Sequence, residues 1–139
     1  MSQLFCFLCV IVLIIAALIF AMICLTNKGA KHLDVEQYRV KYLEIENSLK
    51  RDVVSSYHLA VLNADKLVDQ ALKERGIRGE TMGERMKNSA SLFSDRNGIW
   101  MAHKLRNQIA HETDVKISYN DARYALVGFK KALKDLGAI

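Results

Sequence analysis

An uninterrupted apolar run at the N-terminus constrains this chain more than any other feature. From residue 4 to residue 25 there is no charged side chain, and Leu, Ile, Val, Phe, Ala and Cys dominate. As a helix rising about 1.5 Å per residue the run reaches roughly 33 Å, enough to cross a hydrocarbon core about 30 Å thick. A cleaved signal peptide competes for the same segment, but it needs a basic start, a shorter apolar core and a small-x-small cleavage site. Ser2 and Gln3 supply no charge. Ala21-Met22-Ile23-Cys24-Leu25 supplies no such site, and Cys24 lacks the small preceding residue that a lipoprotein site needs. The expectation is a retained transmembrane anchor over residues 1–27, with a lipid bilayer as partner of residues 4–25.

Charge sets the expected orientation. Only the α-amino group precedes the span, whereas Lys28, Lys31, Arg39 and Lys41 follow it closely. The positive-inside tendency then makes this a single-pass membrane protein with a cytoplasmic C-terminal domain. Cys6, Cys9 and Cys24 all lie inside the apolar run, where thiols behave as small hydrophobes. The rest of the chain has no cysteine, which excludes a disulfide framework and a thiolate metal site there. Ala17 and Ala21 have the small-xxx-small spacing that packs spans together, but alanine is common in such helices.

About 110 residues remain beyond the anchor, enough for one small domain. They carry the formal charge of +5, and residues 73–106 hold eight basic against four acidic side chains. Such a balance suits an anionic partner such as RNA or a lipid surface, and equally a plain solvated surface.

Apolar positions recur at helical spacing throughout, with no sustained alternation of the strand type. Residues 34–49 carry Val35, Tyr38, Tyr42, Ile45 and Leu49 on one stripe. They predict a juxtamembrane helix, within a segment spanning residues 28–51. Residues 53–75 carry Tyr57, Val61, Ala64, Val68 and Leu72, closed by Gly76. Thr81 and Glu84 have capping-box spacing ahead of a short helix ending near Leu92, and Ser94-Asp95-Arg96-Asn97-Gly98 is turn-rich. Ser118-Tyr119-Asn120-Asp121 begins a last helix that Gly137 ends. The predicted fold is all-α: a transmembrane helix, then a four-helix up-down bundle over residues 52–139.

The helix spanning residues 99–112 holds the chemistry. At about 100° per residue, Ala102, Leu105 and Ile109 share one side and are expected to pack inward. Trp100, His103, Asn107 and His111 fall on roughly the opposite side, with Arg106 at their edge. A solvated face ordinarily carries Lys, Glu and Gln instead. This one points to binding, catalysis or coverage by a second subunit.

Arg106-Asn107-Gln108-Ile109-Ala110-His111 is an Arg, a polar residue, three more residues and a His, late in a small helical domain. In this it resembles the HEPN superfamily. Ala64-Asp65-Lys66-Leu67-Val68-Asp69 and Gly79-Glu80-Thr81-Met82-Gly83-Glu84-Arg85 match the style of its bacterial members, and the resemblance covers roughly residues 52–136. It implies a four-helix bundle that dimerises, bringing Arg/His pairs into an interfacial cleft, and in many members metal-independent endoribonuclease activity with no cofactor. Arg106 would clamp the scissile phosphate, His111 would act as acid or base, and Asn107 would orient them. Toxin members often have Tyr two residues after the His, and here Thr113 stands there.

The residue chemistry agrees: imidazole titrates near neutral pH, and guanidinium grips phosphate bidentately. On a regular helix, however, Arg106 and His111 lie about 140° apart, so the pair must form at a frayed end or across a homodimer. Trp100, His103 and Glu112 are accessory or interface candidates. The spacing of His103, His111 and Glu112 does not match the i, i+4 His pair of zinc enzymes, and no metal site is expected. Structural alternatives are an Arg106 pair with Glu112 or Asp114 and a His111 cap on its own helix. The chain then reads as an RNA-cleaving or RNA-binding dimer, or as a non-catalytic anchored scaffold using the same face for dimerisation or partner docking.

Overall fold

A computed structural model of the chain describes residues 2–26 and 32–139. Residues 27–31, with Lys28 and Lys31, and the Cys24 side chain lie outside the described residues, as does Met1. Met1–Ala30 and Lys31–Ile139 are separate compact units. All secondary structure among the described residues is helical.

The first unit is one helix, α1 (Ser2–Thr26), 25 residues long. At about 1.5 Å per residue that is roughly 37 Å, long and apolar enough to cross a membrane. Its large side chains, Phe5, Phe7, Leu13 and Phe20 among them, are exposed along its length. Apolar surface of that extent is stable only in contact with lipid or protein.

The second unit contains α2 (Val35–Ser48), α3 (Val54–Glu74), α4 (Met82–Asn88), a 3-10 turn at Ala90–Leu92, α5 (Arg96–His111) and α6 (Tyr119–Asp135). Local chemistry sets the boundaries. The Asp34, Thr81, Asp95 and Ser118 side chains each accept from a backbone N–H of the first helical turn, satisfying donors that have no partner within the helix. Ser118 and Asp121 form a reciprocal capping box. At Thr81 the return bond differs from expectation: the Glu84 carboxylate accepts from the Glu80 N–H rather than from that of Thr81. α3 ends in a Schellman motif: Gly76, at φ +76°, lets Ile77 N–H reach the Leu72 carbonyl and its own N–H reach Lys73. Gly137 closes α6 in the same way, with Ala138 donating to Leu133.

The core lies where α3, α5 and α6 pack on one another, with α2 and α4 against α3. Leu72, Met86, Ile99, Phe129 and Leu133 are fully buried there. α2 and α3 are separate helices, parted by a turn in which Asp52 takes φ +66°. The segment expected to be juxtamembrane is packed into this unit: Tyr38 and Tyr42 are buried, and the Tyr42 hydroxyl donates to the Leu126 carbonyl of α6 at 2.9 Å. Burial, reinforced by the Glu46 carboxylate, pushes the Tyr42 phenol well above its ordinary value, so it remains a neutral donor.

Candidate functional site

The polar centre of the second unit begins at Asp65. This residue lies on the apolar stripe of α3, one turn from both Val61 and Val68, and is only 4% exposed. A carboxylate at that depth persists only if its oxygens meet donors or positive charge. Oδ1 lies 2.7 Å from Nδ1 of His103, and Oδ2 lies 3.1 Å from Nε of Arg106. The second contact has ion-pair distance without hydrogen-bond alignment.

Arg106 also donates from Nη1 to Asn107 Oδ1 at 2.9 Å, and Asn107 Nδ2 lies 3.3 Å from His103 Nε2. Four side chains therefore close a ring: Asp65 from α3 and His103, Asn107 and Arg106 from α5. Residues three and four positions apart are neighbours on a helix, so one turn of α5 supplies three corners. Because a carboxylate only accepts, the pairing assigns the Nδ1 proton to His103, leaving Nε2 as the acceptor in the neutral ring.

Around the ring is a groove of about 1120 Å³ between α3, α4 and α5. Trp100 is half-buried on its wall, its ring edge-on to His103 with centroids 6.2 Å apart. Lys66 and Lys73 line the α3 side, and Lys87 the α4 side. A second polar cluster pins α4 to α3. Arg85, buried, donates to Asp69 Oδ1 from Nε at 2.8 Å, with Nη2 at 2.7 Å, and Lys73 reaches Oδ2 at 2.7 Å. Burial works to raise the Asp69 pKa, but hydrogen bonds and charge from Lys73 and Arg85 outweigh it and hold the carboxyl below its ordinary value.

Of the residues singled out from sequence, Arg106, Asn107 and His103 are brought together and Trp100 stands beside them. His111 is the last residue of α5, exposed on the rim of the groove and outside the hydrogen-bonded ring. Glu112 is the exposed C-cap residue, and its backbone N–H bonds to Gln108. Arg106 pairs with Asp65, not with Glu112 or Asp114. His103, expected opposite the core-facing side, is buried because α3 presents Asp65 to it. Ala102 packs inward as expected, while Leu105 and Ile109 are half-buried.

The hub that sequence reasoning passed over is Asp65. Its signal was a lone carboxylate on an otherwise apolar stripe, but its partner lies 38 positions away. Among the described residues, no three His, Cys, Asp or Glu side chains cluster as metal ligands. Comparison with known protein families, characterised proteins and solved structures gives no match.

Proposed function

We propose that this chain is a membrane-anchored, HEPN-like protein whose groove binds single-stranded RNA and cleaves it without a metal. The observation that carries this reading is the closed ring of Asp65, His103, Asn107 and Arg106 opening onto a groove lined by Lys66, Lys73 and Lys87 as well as by Asp69, Glu80 and Glu84. A guanidinium beside an imidazole of fixed tautomer combines charge stabilisation with proton transfer, which is one way to run metal-free phosphoryl transfer. The ring takes a hydrogen bond from Nη1 of Arg106 and holds Nε at ion-pair distance from Asp65, which leaves Nη2 for a phosphate oxygen. His111, exposed on the rim, would exchange a proton with substrate or water. The Arg106-to-His111 spacing adds the family resemblance. In this reading α1 is the bilayer anchor, the Lys31–Ile139 unit is cytoplasmic, and the active species is a homodimer.

The competing reading is a non-catalytic anchored scaffold in which the ring is only a structural lock. It is favoured by one observation: Arg106 is already engaged within the protein, donating from Nη1 to Asn107 with Nε at ion-pair distance from Asp65. Cleavage of a fluorogenic single-stranded RNA by the full chain in detergent, with EDTA present and oligomeric state measured on the same sample, separates the two. EDTA-resistant cleavage by a dimer, lost in Arg106→Ala and His111→Ala, supports the nuclease. A folded protein that leaves RNA intact in every form supports the scaffold.

A further inference from the structure

Gly83 is the second residue of α4 and faces the ring. Its φ is not in the left-handed region, so the backbone does not demand glycine there, and glycine is unfavourable inside a helix. A Cβ on Gly83 would stand 4.0 Å from His103 Nε2, 3.9 Å from Trp100 Cη2 and 3.8 Å from Thr81 Oγ1. These are ordinary contact distances, so the absent side chain relieves no clash; what it leaves is space over Nε2. Among the described residues, the partner of that nitrogen is the Asn107 amide at 3.3 Å, a long contact that an incoming hydroxyl can displace.

We infer that His103, rather than His111, is the proton acceptor for an RNA 2′-hydroxyl, that Asp65 is its positioning residue, and that Gly83 keeps the approach to Nε2 open; this rests on the RNA-cleaving reading above. The 2′-hydroxyl proton passes to Nε2 as the 2′-oxygen bonds to the adjacent phosphorus. The phosphorus–5′-oxygen bond breaks, and the leaving 5′-oxygen takes a proton from His111 on the rim. The products are a 2′,3′-cyclic phosphate and a 5′-hydroxyl. Asp65, hydrogen-bonded to Nδ1, fixes the tautomer before the transfer and faces the imidazolium after it, while its other oxygen holds Arg106 toward the phosphate.

The test uses the full chain in lipid nanodiscs with EDTA. It measures cleavage of a single-stranded RNA oligonucleotide, binding of its 2′-O-methyl counterpart and the thermal midpoint. His103→Gln retains an amide donor for Asp65 and is expected to slow cleavage about a hundredfold or more while binding persists. Gly83→Ala places a methyl over Nε2 and is expected to slow cleavage about tenfold by displacing the hydroxyl, with a midpoint no lower than the parent. A lock that merely holds the fold would not slow cleavage while leaving stability intact. Normal cleavage in both variants, with loss only in His111→Gln, would overturn the assignment and leave the RNase reading standing. A parent protein that neither binds nor cleaves would remove both.

Discussion

Helix α5 carries two unlike surfaces. Toward α3 and α4 it presents His103, Arg106 and Asn107, each bonded to another side chain around the buried Asp65. Toward α6 it presents Met101, Leu105 and Gln108 over a smaller hollow of about 580 Å³ with a mostly apolar lining, where Met101 and Tyr124 are largely exposed. The first surface is held by directional, charged contacts that tolerate few replacements. The second is held by close backbone approach and nonspecific contact, so its outer side chains are free to vary. The cost of mutation should divide along the same line.

Removing the hub should produce the largest effect. Asp65→Ala leaves a guanidinium and an imidazole without their carboxylate, and truncating one partner of a buried pair costs roughly 3–5 kcal/mol. The lower end applies, because Arg106 remains about a third exposed and water can take up part of its charge. Chemical denaturation of the full chain in detergent measures this. A loss well below 1 kcal/mol would mean that the ring adds little, and the contrast between the surfaces would fail.

Gly128→Ala probes the other side. Here α5 and α6 cross so closely that a Cβ on Gly128 would stand 2.7 Å from the Gly98 carbonyl oxygen. Backbone cannot step aside as a flexible side chain does, so the helices must separate, at about 1–3 kcal/mol. Gly83→Ala, with no contact closer than 3.8 Å, is the matched control and should be neutral or slightly stabilising. Equal destabilisation by the two substitutions would show that glycine acts through helix propensity alone.

The two surfaces also differ in how far sequence revealed them. Helix positions and most caps follow from local rules: Asp34, Ser118, Gly76 and Gly137 act within a few residues of themselves, so their roles are legible in the chain. Periodicity gave the stripes of residues 34–49 and 53–75 but not whether the helix runs on between them, because nothing local near Arg51-Asp52 marks a stop as strong as Gly or Pro. Within α5, helical spacing grouped His103 with Asn107 and set Arg106 beside them. It could not say which side chains would be buried, because that depends on what α3 brings opposite. Asp65 meets His103 only after the chain has turned twice. The same limit explains His111: spacing names it, while the third dimension leaves it on the rim outside the hydrogen-bonded ring.

Acid should weaken the contacts between α3 and α4, and also those between α5 and α6, where the Gly98 N–H and Lys131 hold the Asp95 carboxyl below its ordinary value. The folded pKa of Asp69 is lowered, so its contribution is fully present above the unfolded carboxylate value of about 3.9 and is lost as pH falls through the lower folded value. Lys73 and Arg85 stay charged throughout this window, so Asp69 is the group that titrates. The thermal midpoint of the parent should fall more steeply below pH 4 than that of Asp69→Asn, which should start lower at pH 7. Parallel curves would show that the Arg85–Asp69–Lys73 cluster is not coupled to folding.

The smallest effect should come from the outer side chains of the α5–α6 hollow. Met101 is 67% exposed and Tyr124 is 76% exposed, so truncation removes little area from contact. Met101→Ser and Tyr124→Ser should each change stability by no more than about 0.5 kcal/mol, the range of surface positions that lack a special role. Denaturation at two protein concentrations sharpens the measurement. A small shift independent of concentration agrees with a side chain facing solvent. A loss of about 2 kcal/mol or more that grows with concentration would mean that an oligomer covers this face, because mass action ties its stability to protein concentration. The apolar hollow would then be half of an interface, and the simple division between a specific surface and a permissive one would not survive.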